Sequence, residues 1–516
     1  MNEGRMKQSA KNMASGFLYQ AVTLILSFVS RTVFINTLGS EYLGLNGIFT
    51  DVLSLLSMAD LGFGTAMAYS FYKPLAEHDE DKIASLVHFY NKIYNIIAIT
   101  VTVIGLACVP FLKYIVNTEE EIPNLEWYYL FSLANIVISY LFVYKTTLMT
   151  ADQKDYKIVN IRMWTTLIKT ILQMVVLLET GNYMLYIIIG VAMQFLNNYI
   201  ASKKTEKEYP YICNQIKSNK IDKEVEQNII GNMKSVFIYK LSGTLFSATD
   251  NLLISVIIGT AAVGLYSNYL MLSSKLLLVE QIIFSSLVAS IGNVIAKDRP
   301  EKRLQIFQAM QSASFIFCGI IAAGFVLLAN DVITVWLGKE YTFSLVIVVA
   351  ITLNTYFSCV LQPLWIYRDA TGLYMKTKYM MLAGAALNIV LSIVLGKIIG
   401  IVGIILASAI SRLCTYFWYE PKLLFKEYFN SKATQYYLSI FKNIILLGCV
   451  VGVLSYVYSF WIINNWVMLI LKIIVTGVIC SAIFVLAYCR TEGFQIILNK
   501  VRNIVKRFFH KESIHK

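Results

Sequence analysis

The sequence predicts an all-α polytopic membrane protein with about 14 transmembrane helices, arranged as two parallel-repeat six-helix lobes plus two C-terminal helices. Three observations support this fold class. The 516-residue chain is 57% hydrophobic and 15% charged, whereas a soluble domain carries about 25% charged residues. Apolar segments of about 20 residues, the length that crosses a bilayer core, recur along the whole chain. Residues 12–19 also reappear, nearly unchanged, as residues 232–239.

The predicted spans follow the apolar segments and the breaks between them. The first span lacks a small-residue cleavage site and is followed at once by another span, so we expect a transmembrane helix and not a removed signal peptide. The predicted spans are residues 12–36, 42–71, 83–111, 124–148, 158–179, 183–201, 229–258, 262–294, 306–337, 342–366, 378–396, 400–419, 437–459 and 465–488.

The repeat extends beyond its best-matched segment. At the same offset of 220 residues, Gly39 pairs with Gly259 and Gly44 pairs with Gly264. A second copy of the first half is typical of two-lobed membrane transporters. Each copy contains six predicted spans, an even number, so both copies begin on the same side of the membrane and are parallel repeats. The last two helices have no counterpart in either copy.

Basic residues lie in alternate loops between the spans, which accounts for the net charge of +13 without a nucleic-acid partner. The N-terminus, the even-numbered loops and the tail are basic, whereas the odd-numbered loops carry few basic residues or none. We therefore expect a multi-pass membrane protein with both termini in the cytoplasm. Its predicted parts are an N-lobe (1–201), a cytoplasmic linker (202–228), a C-lobe (229–425), helices 13 and 14 (437–488) and a basic cytoplasmic tail (489–516).

Polar residues inside the spans form matching stripes in the two copies. Gln20 and Arg31 lie on one face of helix 1, and Lys240 and Asn251 occupy the equivalent positions of helix 7. Polar groups inside a bilayer are costly unless they face protein or a water-filled cavity. The matching stripes therefore predict a shared substrate cavity, with Gln20 and Asn251 among its polar ligands.

Four cations within the spans are candidates for binding an anionic substrate: Arg31, Lys169, Lys240 and Lys275. Arg31 lies near the outer end of its helix, so snorkelling to the surface is an alternative, but its planar guanidinium suits phosphate. Lys240 and Lys275 lie near mid-membrane, where snorkelling is harder. Their alternative is an ion pair with Asp250 or Glu280.

Three acidic residues in the spans are candidates for ion coupling or for charge balance: Asp60, Asp250 and Glu280. Asp60 and Glu280 occupy matching positions in the two copies. Each can bind a coupling cation or proton, balance the cavity cations, or make a structural hydrogen bond or helix cap. Arg162 lies near a cytoplasmic helix end, where snorkelling is the favoured interpretation.

No sequence feature points to catalysis or to a bound cofactor. The eight Cys and four His are scattered, without a Cys-x-x-Cys motif or a Cys/His cluster, so no metal site is expected. The sequence contains no Walker motif, so ATP is not expected to drive the protein directly. We therefore expect a transporter and not an enzyme, with no cofactor and with coupling to H⁺ or Na⁺ left open.

Motifs in both copies are similar to those of a known family. Ser-Arg at residues 30–31 precedes Leu-Gly-Ser-Glu-Tyr-Leu-Gly-Leu at residues 38–45, and helix 2 contains Asp-Leu-Gly-Phe-Gly at residues 60–64. The second copy carries Thr-Asp-Asn at residues 249–251 and Gly-Thr-Ala-Ala-Val-Gly-Leu-Tyr at residues 259–266. In these motifs and in its 14-helix layout the chain resembles the polysaccharide transporter (Wzx-type flippase) branch of the multidrug/oligosaccharidyl-lipid/polysaccharide exporter superfamily.

The resemblance implies a flippase that carries undecaprenyl-diphosphate-linked oligosaccharide repeat units from the inner to the outer leaflet by alternating access, for surface polysaccharide biosynthesis. It implies that Arg31 is a cavity cation for the diphosphate, whereas the same role for Lys240 and Lys275 rests on their position alone. The implied partners are this lipid-linked oligosaccharide, membrane lipids, and glycosyltransferases and a polymerase of the same pathway. Helices 13 and 14 would form a groove for the polyprenyl tail.

Two other functions within the same superfamily stay open. A flippase for lipid II, the peptidoglycan precursor, has the same fold and span count. A cation-coupled multidrug exporter commonly has 12 helices and an acidic or aromatic cavity, which the cations Arg31, Lys240 and Lys275 argue against. A membrane polymerase or ligase of lipid-linked glycans is disfavoured by the short outer loops and the internal repeat.

Overall fold

A computed structural model gives the fold of the chain. It describes residues 2–57, 63–118, 121–213, 223–285, 291–292, 294–295, 298–461, 463, 465–499 and 502. Within these ranges the secondary structure consists of α-helices and short 3₁₀ turns without a strand, which confirms the predicted all-α class. Asp60, part of the linker and most of the basic tail lie outside the described residues.

Contacts between residues divide the chain into two compact units, residues 1–264 and residues 265–516. A further helix, α10 (Thr260–Ser285), begins in the first unit and continues into the second. The preceding helices belong to the first unit and are α1 (Asn2–Leu56), α2 (Phe63–Glu77), α3 (Glu80–Cys108), α4 (Leu112–Ile115), α5 (Leu125–Tyr140), α6 (Val143–Ala151), α7 (Asp155–Thr180), α8 (Tyr183–Glu208) and α9 (Lys223–Ile257).

The second unit contains the remaining described helices. Because α9 is grouped with the first unit, this division by contacts differs from a division by repeat copies, and the lobe boundaries stay a prediction. The helices are α11 (Pro300–Trp336), α12 (Leu345–Val360), α13 (Gln362–Thr371), α14 (Tyr374–Ile399), α15 (Ile401–Cys414), α16 (Tyr416–Tyr428), α17 (Thr434–Tyr458) and α18 (Trp466–Tyr488).

Gly39 breaks α1 between the first two predicted spans. Its backbone has φ 79° and ψ −176°, a conformation outside the helical region that glycine adopts without a steric penalty. A straight helix with the 55 residues of α1 would be about 80 Å long at ~1.5 Å per residue. The hydrocarbon core is only about 30 Å thick. The break therefore separates two membrane crossings.

Two predicted spans are bent pairs of helices instead of single helices. α5 and α6 meet at an angle of 46°, where Phe142 has a φ of 74°. α12 and α13 meet at 41°, and Pro363 lies in the first turn of α13. Proline has no backbone N–H to donate to the preceding turn, so it starts a new helix.

Ten described helices are long and apolar enough to cross a membrane, or up to twelve if each bent pair is one span. This finding confirms a polytopic membrane protein. The segment Lys11–Leu56 is counted once in that number, although Gly39 divides it, and α9 is not counted. The predicted total of about 14 spans is compatible with the helices observed and stays a prediction.

α8 extends seven residues past the predicted span end, to Glu208, so the predicted linker begins as helix. The Glu208 carboxylate lies 3.0 Å from the Lys154 ammonium and 2.5 Å from the Lys157 ammonium. Burial lowers the pKa of Lys154, but hydrogen bonds with Asp152 and Glu208 outweigh this effect and raise the pKa overall. These ion pairs join the N-terminal end of α7 to the C-terminal end of α8.

The two C-terminal helices, α17 and α18, pack on α11 in the second unit. Their contact is an apolar cluster that includes Ala323, Leu454 and Phe484. A Cβ atom built on Gly319 would lie 2.2 Å from the Phe484 ring, so only glycine permits this approach. The Lys472 ammonium also lies 2.7 Å from the Asp331 carboxylate, an ion pair between α18 and α11.

Two glycines related by the repeat make a symmetric contact in the first unit. A Cβ on Gly44 would lie 2.0 Å from the Thr260 carbonyl oxygen, and a Cβ on Gly264 would lie 2.0 Å from the Ser40 carbonyl oxygen. Ser40 and Thr260 are separated by 220 residues, as Gly44 and Gly264 are. Exchanging the two copies leaves the contact unchanged, which is the property of a local two-fold axis.

We expect Gly44→Ala to destabilise the protein, because its Cβ would overlap a backbone carbonyl that no side-chain rotation can move. The expected loss in the free energy of unfolding is about 1–3 kcal/mol, measured by unfolding in mixed detergent–SDS micelles. Gly16→Ala in the same helix is the control, since its Cβ would meet nothing within 4 Å. Equal stability of the two variants would contradict the glycine contact.

Candidate functional site

Asn12 fixes α1 to the start of α7 in the first unit. Its side-chain amide donates to the Gln153 carbonyl at 2.9 Å, and its carbonyl oxygen accepts from the Tyr156 N–H at 2.8 Å. α1 and α7 then pack along their length. The polar stripe of helix 1 thus begins at a point where the two helices are hydrogen-bonded together.

A polar cavity of about 370 Å³ lies among α1, the bent pair α5–α6, α7 and α8. Two cations line it, Arg162 and Lys169, and they are seven residues apart on α7. Residues at this spacing share a helix face two turns apart. The other polar side chains of the lining are hydroxyls and amides, namely Tyr19, Ser139, Thr146, Thr165, Thr166, Gln194, Asn197 and Asn198.

The cavity lining contains no carboxylate among the residues that the structure describes. Over the same ranges, neither Arg162 nor Lys169 makes an ion pair. Charges inside a membrane protein normally pair with one another or face a water-filled pathway. Two cations in one polar cavity without a counter-ion favour an anionic ligand.

The amides of the cavity are held by a hydrogen-bonded chain. The Thr165 hydroxyl donates to Asn197 at 2.9 Å, and the Asn197 amide donates to Asn198 at 3.0 Å. The Asn198 amide donates in turn to the Ile138 carbonyl at 2.9 Å, near the end of α5. At the bend the Ile138 carbonyl also accepts from the Leu141 N–H, so Asn198 adds a second hydrogen bond to the broken helix end and lines the cavity.

Lys169 was predicted from the sequence as a cavity cation, whereas Arg162 was assigned to snorkelling. The structure brings the two together in one lining. The amides Asn197 and Asn198 were not singled out in the sequence. Two consecutive amides in an apolar helix are the signal that would have identified them.

Arg31 lies elsewhere on α1 and is not part of this cavity lining. It is partly buried and interacts electrostatically with the Tyr186 hydroxyl. Tyr186 belongs to an aromatic cluster with Phe34 and Tyr183, in which ring centroids lie 5.2–5.9 Å apart. Arg31 is therefore near one member of this aromatic cluster.

Asp51 and Asn251 form a hydrogen-bonded pair inside the first unit. The Asn251 amide donates to the Asp51 carboxylate at 2.6 Å. Asn251 is a predicted site residue and the repeat equivalent of Arg31, whereas Asp51 was missed. An ionisable residue nine positions inside the predicted span 42–71 is itself a signal of function, and this signal would have identified Asp51.

The other predicted site residues in the first unit are spread along α1 and α9. Gln20 and Lys240 are partly buried, and no ion pair of Lys240 is present in the described part of the chain. Asp250 is next to Asn251 and makes contacts of its own. The alternative interpretation of Lys240, an ion pair with Asp250, is thus not observed among the described residues.

In the second unit, Lys275 is partly buried and Glu280 is 1% exposed. Glu280 lies beside Ser314 and Cys359, and one of its carboxylate oxygens has no hydrogen-bond partner among the described atoms. An ion pair between Lys275 and Glu280 is likewise not observed within the described ranges. Asp60 lies outside them.

The fold is similar to that of known membrane transporters. A lipid II flippase, MurJ, in an inward closed conformation matches with a TM-score of 0.61 and 16% identity, over 92% of this chain and 98% of that chain. An inward-facing multidrug resistance transporter of the MATE family matches with a TM-score of 0.56 and 13% identity, over 77% of this chain and 93% of that chain. A Vibrio cholerae MATE transporter matches with a TM-score of 0.55 and 14% identity, over 83% and 99%.

No protein-family model matches the sequence. No curated protein matches it either. At these low identities the matches show the fold alone. The substrate must therefore be argued from the residues.

We expect the Asp51–Asn251 hydrogen bond to stabilise the first unit, because its acceptor is a partly buried carboxylate. Asp51→Ala and Asn251→Ala should each destabilise the protein, and the double variant should lose less than the sum. The expected coupling energy is about 1–3 kcal/mol, measured by unfolding in mixed micelles. Strictly additive effects would show that the two side chains do not interact.

Proposed function

We propose that this chain is a flippase for undecaprenyl-diphosphate-linked oligosaccharide repeat units, which it carries from the inner to the outer leaflet of the bacterial cytoplasmic membrane for surface polysaccharide biosynthesis. The polar cavity of the first unit is the main support for this function. It presents Arg162 and Lys169 together with amides and hydroxyls, and it contains no carboxylate in its described lining.

The residue types of this cavity match the two polar parts of such a substrate. A diphosphate requires cations and hydrogen-bond donors, and a guanidinium binds phosphate oxygens with two parallel N–H groups. Sugars present hydroxyl groups, which bind amides such as Asn197 and Gln194. A volume of about 370 Å³ is in the range of small-ligand sites, so the cavity has room for the diphosphate with its first sugar.

The remaining predicted site residues are proposed to act along the same transport path. Arg31, Lys240 and Lys275 provide further cations for the diphosphate as it moves, and Gln20 and Asn251 provide polar contacts. The acidic candidates Asp60, Asp250 and Glu280 are proposed to bind a coupling H⁺ or Na⁺ or to balance these cations. Alternating access then exposes the path first to one leaflet and then to the other.

A lipid II flippase is the second candidate function. It is favoured by the match to MurJ, which extends over 98% of that chain. The proposed site binds a diphosphate, which both substrates carry, so the sugar portion distinguishes them. A multidrug exporter for cationic compounds is disfavoured, because Arg162 and Lys169 would repel a cation.

We expect Lys169→Ala and Arg162→Ala each to lower transport about tenfold or more, since each removes a charged hydrogen-bond donor from the phosphate. The measurement is flipping of fluorescent undecaprenyl-diphosphate oligosaccharide in proteoliposomes, with surface polysaccharide as the cellular readout. Lys169→Arg should keep most of the activity. Lys204→Ala, an exposed cation of α8 outside the cavity, is the matched control.

The same vesicles distinguish the candidate functions. We expect undecaprenyl-diphosphate oligosaccharide to be transported in preference to lipid II. We expect a cationic dye not to be transported. A preference for lipid II would instead support the second candidate function, a lipid II flippase. Full activity of both alanine variants would remove the cavity from the transport path.

A further inference from the structure

Glu280 is a carboxyl buried in the second unit, on α10. It is 1% exposed, and one of its oxygens meets no hydrogen-bond partner among the described atoms. Its side-chain neighbours are the Ser314 hydroxyl of α11 and the Cys359 thiol of α12. Lys275, the one cation of α10, makes no ion pair with it in the described part of the chain. Burial without a cation strongly disfavours an ionised carboxylate.

The hydrogen-bond donors next to Glu280 are used elsewhere. Pro363 has no N–H, so the Cys359 carbonyl, four residues earlier, lacks its normal helical donor. The Ser314 hydroxyl donates its single hydrogen to this carbonyl at 3.1 Å. The Cys318 thiol donates to another carbonyl of α12, at 3.6 Å. Toward Glu280, Ser314 therefore has only oxygen lone pairs to offer.

A protonated carboxyl fits these neighbours, whereas a carboxylate does not. A carboxylic acid has one O–H donor, which the lone pairs of Ser314 can accept. A carboxylate only accepts, and the Cys359 thiol, a weak donor, is the one donor left to it among the described neighbours. The titratable groups beside Glu280 in the described ranges are the Cys318 and Cys359 thiols, and neither carries a positive charge. The Glu280 carboxyl therefore holds a proton in this structure.

We propose that Glu280 binds the coupling proton of transport, an assignment that rests on the proposed function and identifies the coupling ion that was left open there. A proton bonds to the carboxyl oxygen itself, so it needs no cavity and can be held in a buried site. A hard cation such as Na⁺ would instead require several oxygen ligands. The described neighbours supply one hydroxyl and two thiols, so the site favours H⁺ over Na⁺.

The position of Glu280 couples its proton to the packing of α10. Glu280 lies on α10, and its neighbours lie on α11 and α12. While the carboxyl is protonated and neutral, the three helices stay packed around it. When alternating access opens this region to water, the proton passes to a water molecule, and the carboxylate that remains is more stable hydrated than buried. Uptake of a proton from the opposite side allows α10 to pack again, so one proton crosses per cycle.

Infrared spectroscopy of the full chain in liposomes tests proton binding without any transport substrate. We expect the wild type at neutral pH to show the carbonyl band of a protonated carboxylic acid. Glu280→Gln should lack this band, and Glu280→Asp, which keeps an acid, should shift it. Glu301→Gln, in an exposed glutamate of α11, is the matched control and should leave the band unchanged. A band that is independent of Glu280 would overturn the proposal, whatever the protein transports.

The distribution of fluorescent undecaprenyl-diphosphate oligosaccharide between the two leaflets of proteoliposomes tests coupling. With one proton per substrate, a gradient of about one pH unit should shift this distribution by up to about tenfold. Glu301→Gln should keep the shift, Glu280→Gln should lose it, and a Na⁺ gradient should produce none. The melting temperature of each variant identifies any general loss of folding.

Two results would overturn the coupling role of Glu280. In one, the wild-type distribution ignores the pH gradient or follows a Na⁺ gradient instead. In the other, Glu280→Gln responds to the pH gradient as the wild type does. If the wild type moves no lipid-linked oligosaccharide at all, the proposed function fails and the coupling role fails with it, while the infrared spectra still decide whether Glu280 binds a proton.

Discussion

The close contact of Gly44 with the Thr260 carbonyl, and of Gly264 with the Ser40 carbonyl, is the constraint on which the first unit depends. A Cβ atom built on either glycine would lie 2.0 Å from a backbone oxygen of the other copy. Because backbone atoms make the contact, no side chain can rotate to relieve an overlap. The contact holds the second half of α1 near the start of α10. A second contact between the two repeat copies, the hydrogen bond that Asn251 donates to Asp51, involves the same half of α1.

Much of the fold could be predicted because apolar length and glycine positions are local signals. The sequence pairs Gly39 with Gly259, and both have positive φ in the structure, so the repeat extends to backbone conformation. The bend at Phe142 could not be foreseen, since aromatic residues rarely adopt its conformation and the tertiary packing imposes it. Pro363, in contrast, was a visible signal of a second helix within a predicted single span.

The candidate site was only partly predictable, because a charge in a span has several explanations that contacts alone separate. Lys472 is paired with Asp331 at 2.7 Å, and this ion pair has a structural role between two helices. Lys169 also lies inside a predicted span, but it lines a polar cavity whose described lining contains no carboxylate. The sequence pattern alone cannot distinguish these cases, since the partner of each charge lies far along the chain.

We propose that the cations of the first-unit cavity bind the diphosphate of a lipid-linked substrate. The most direct measurement is an experimental structure of the protein with a short-chain polyprenyl diphosphate bound. We expect phosphate density in contact with the Arg162 guanidinium and the Lys169 ammonium, with the polyprenyl chain in the membrane and the amides of α8 beside the diphosphate. Density for the diphosphate at another site, with this cavity holding only water, would contradict it.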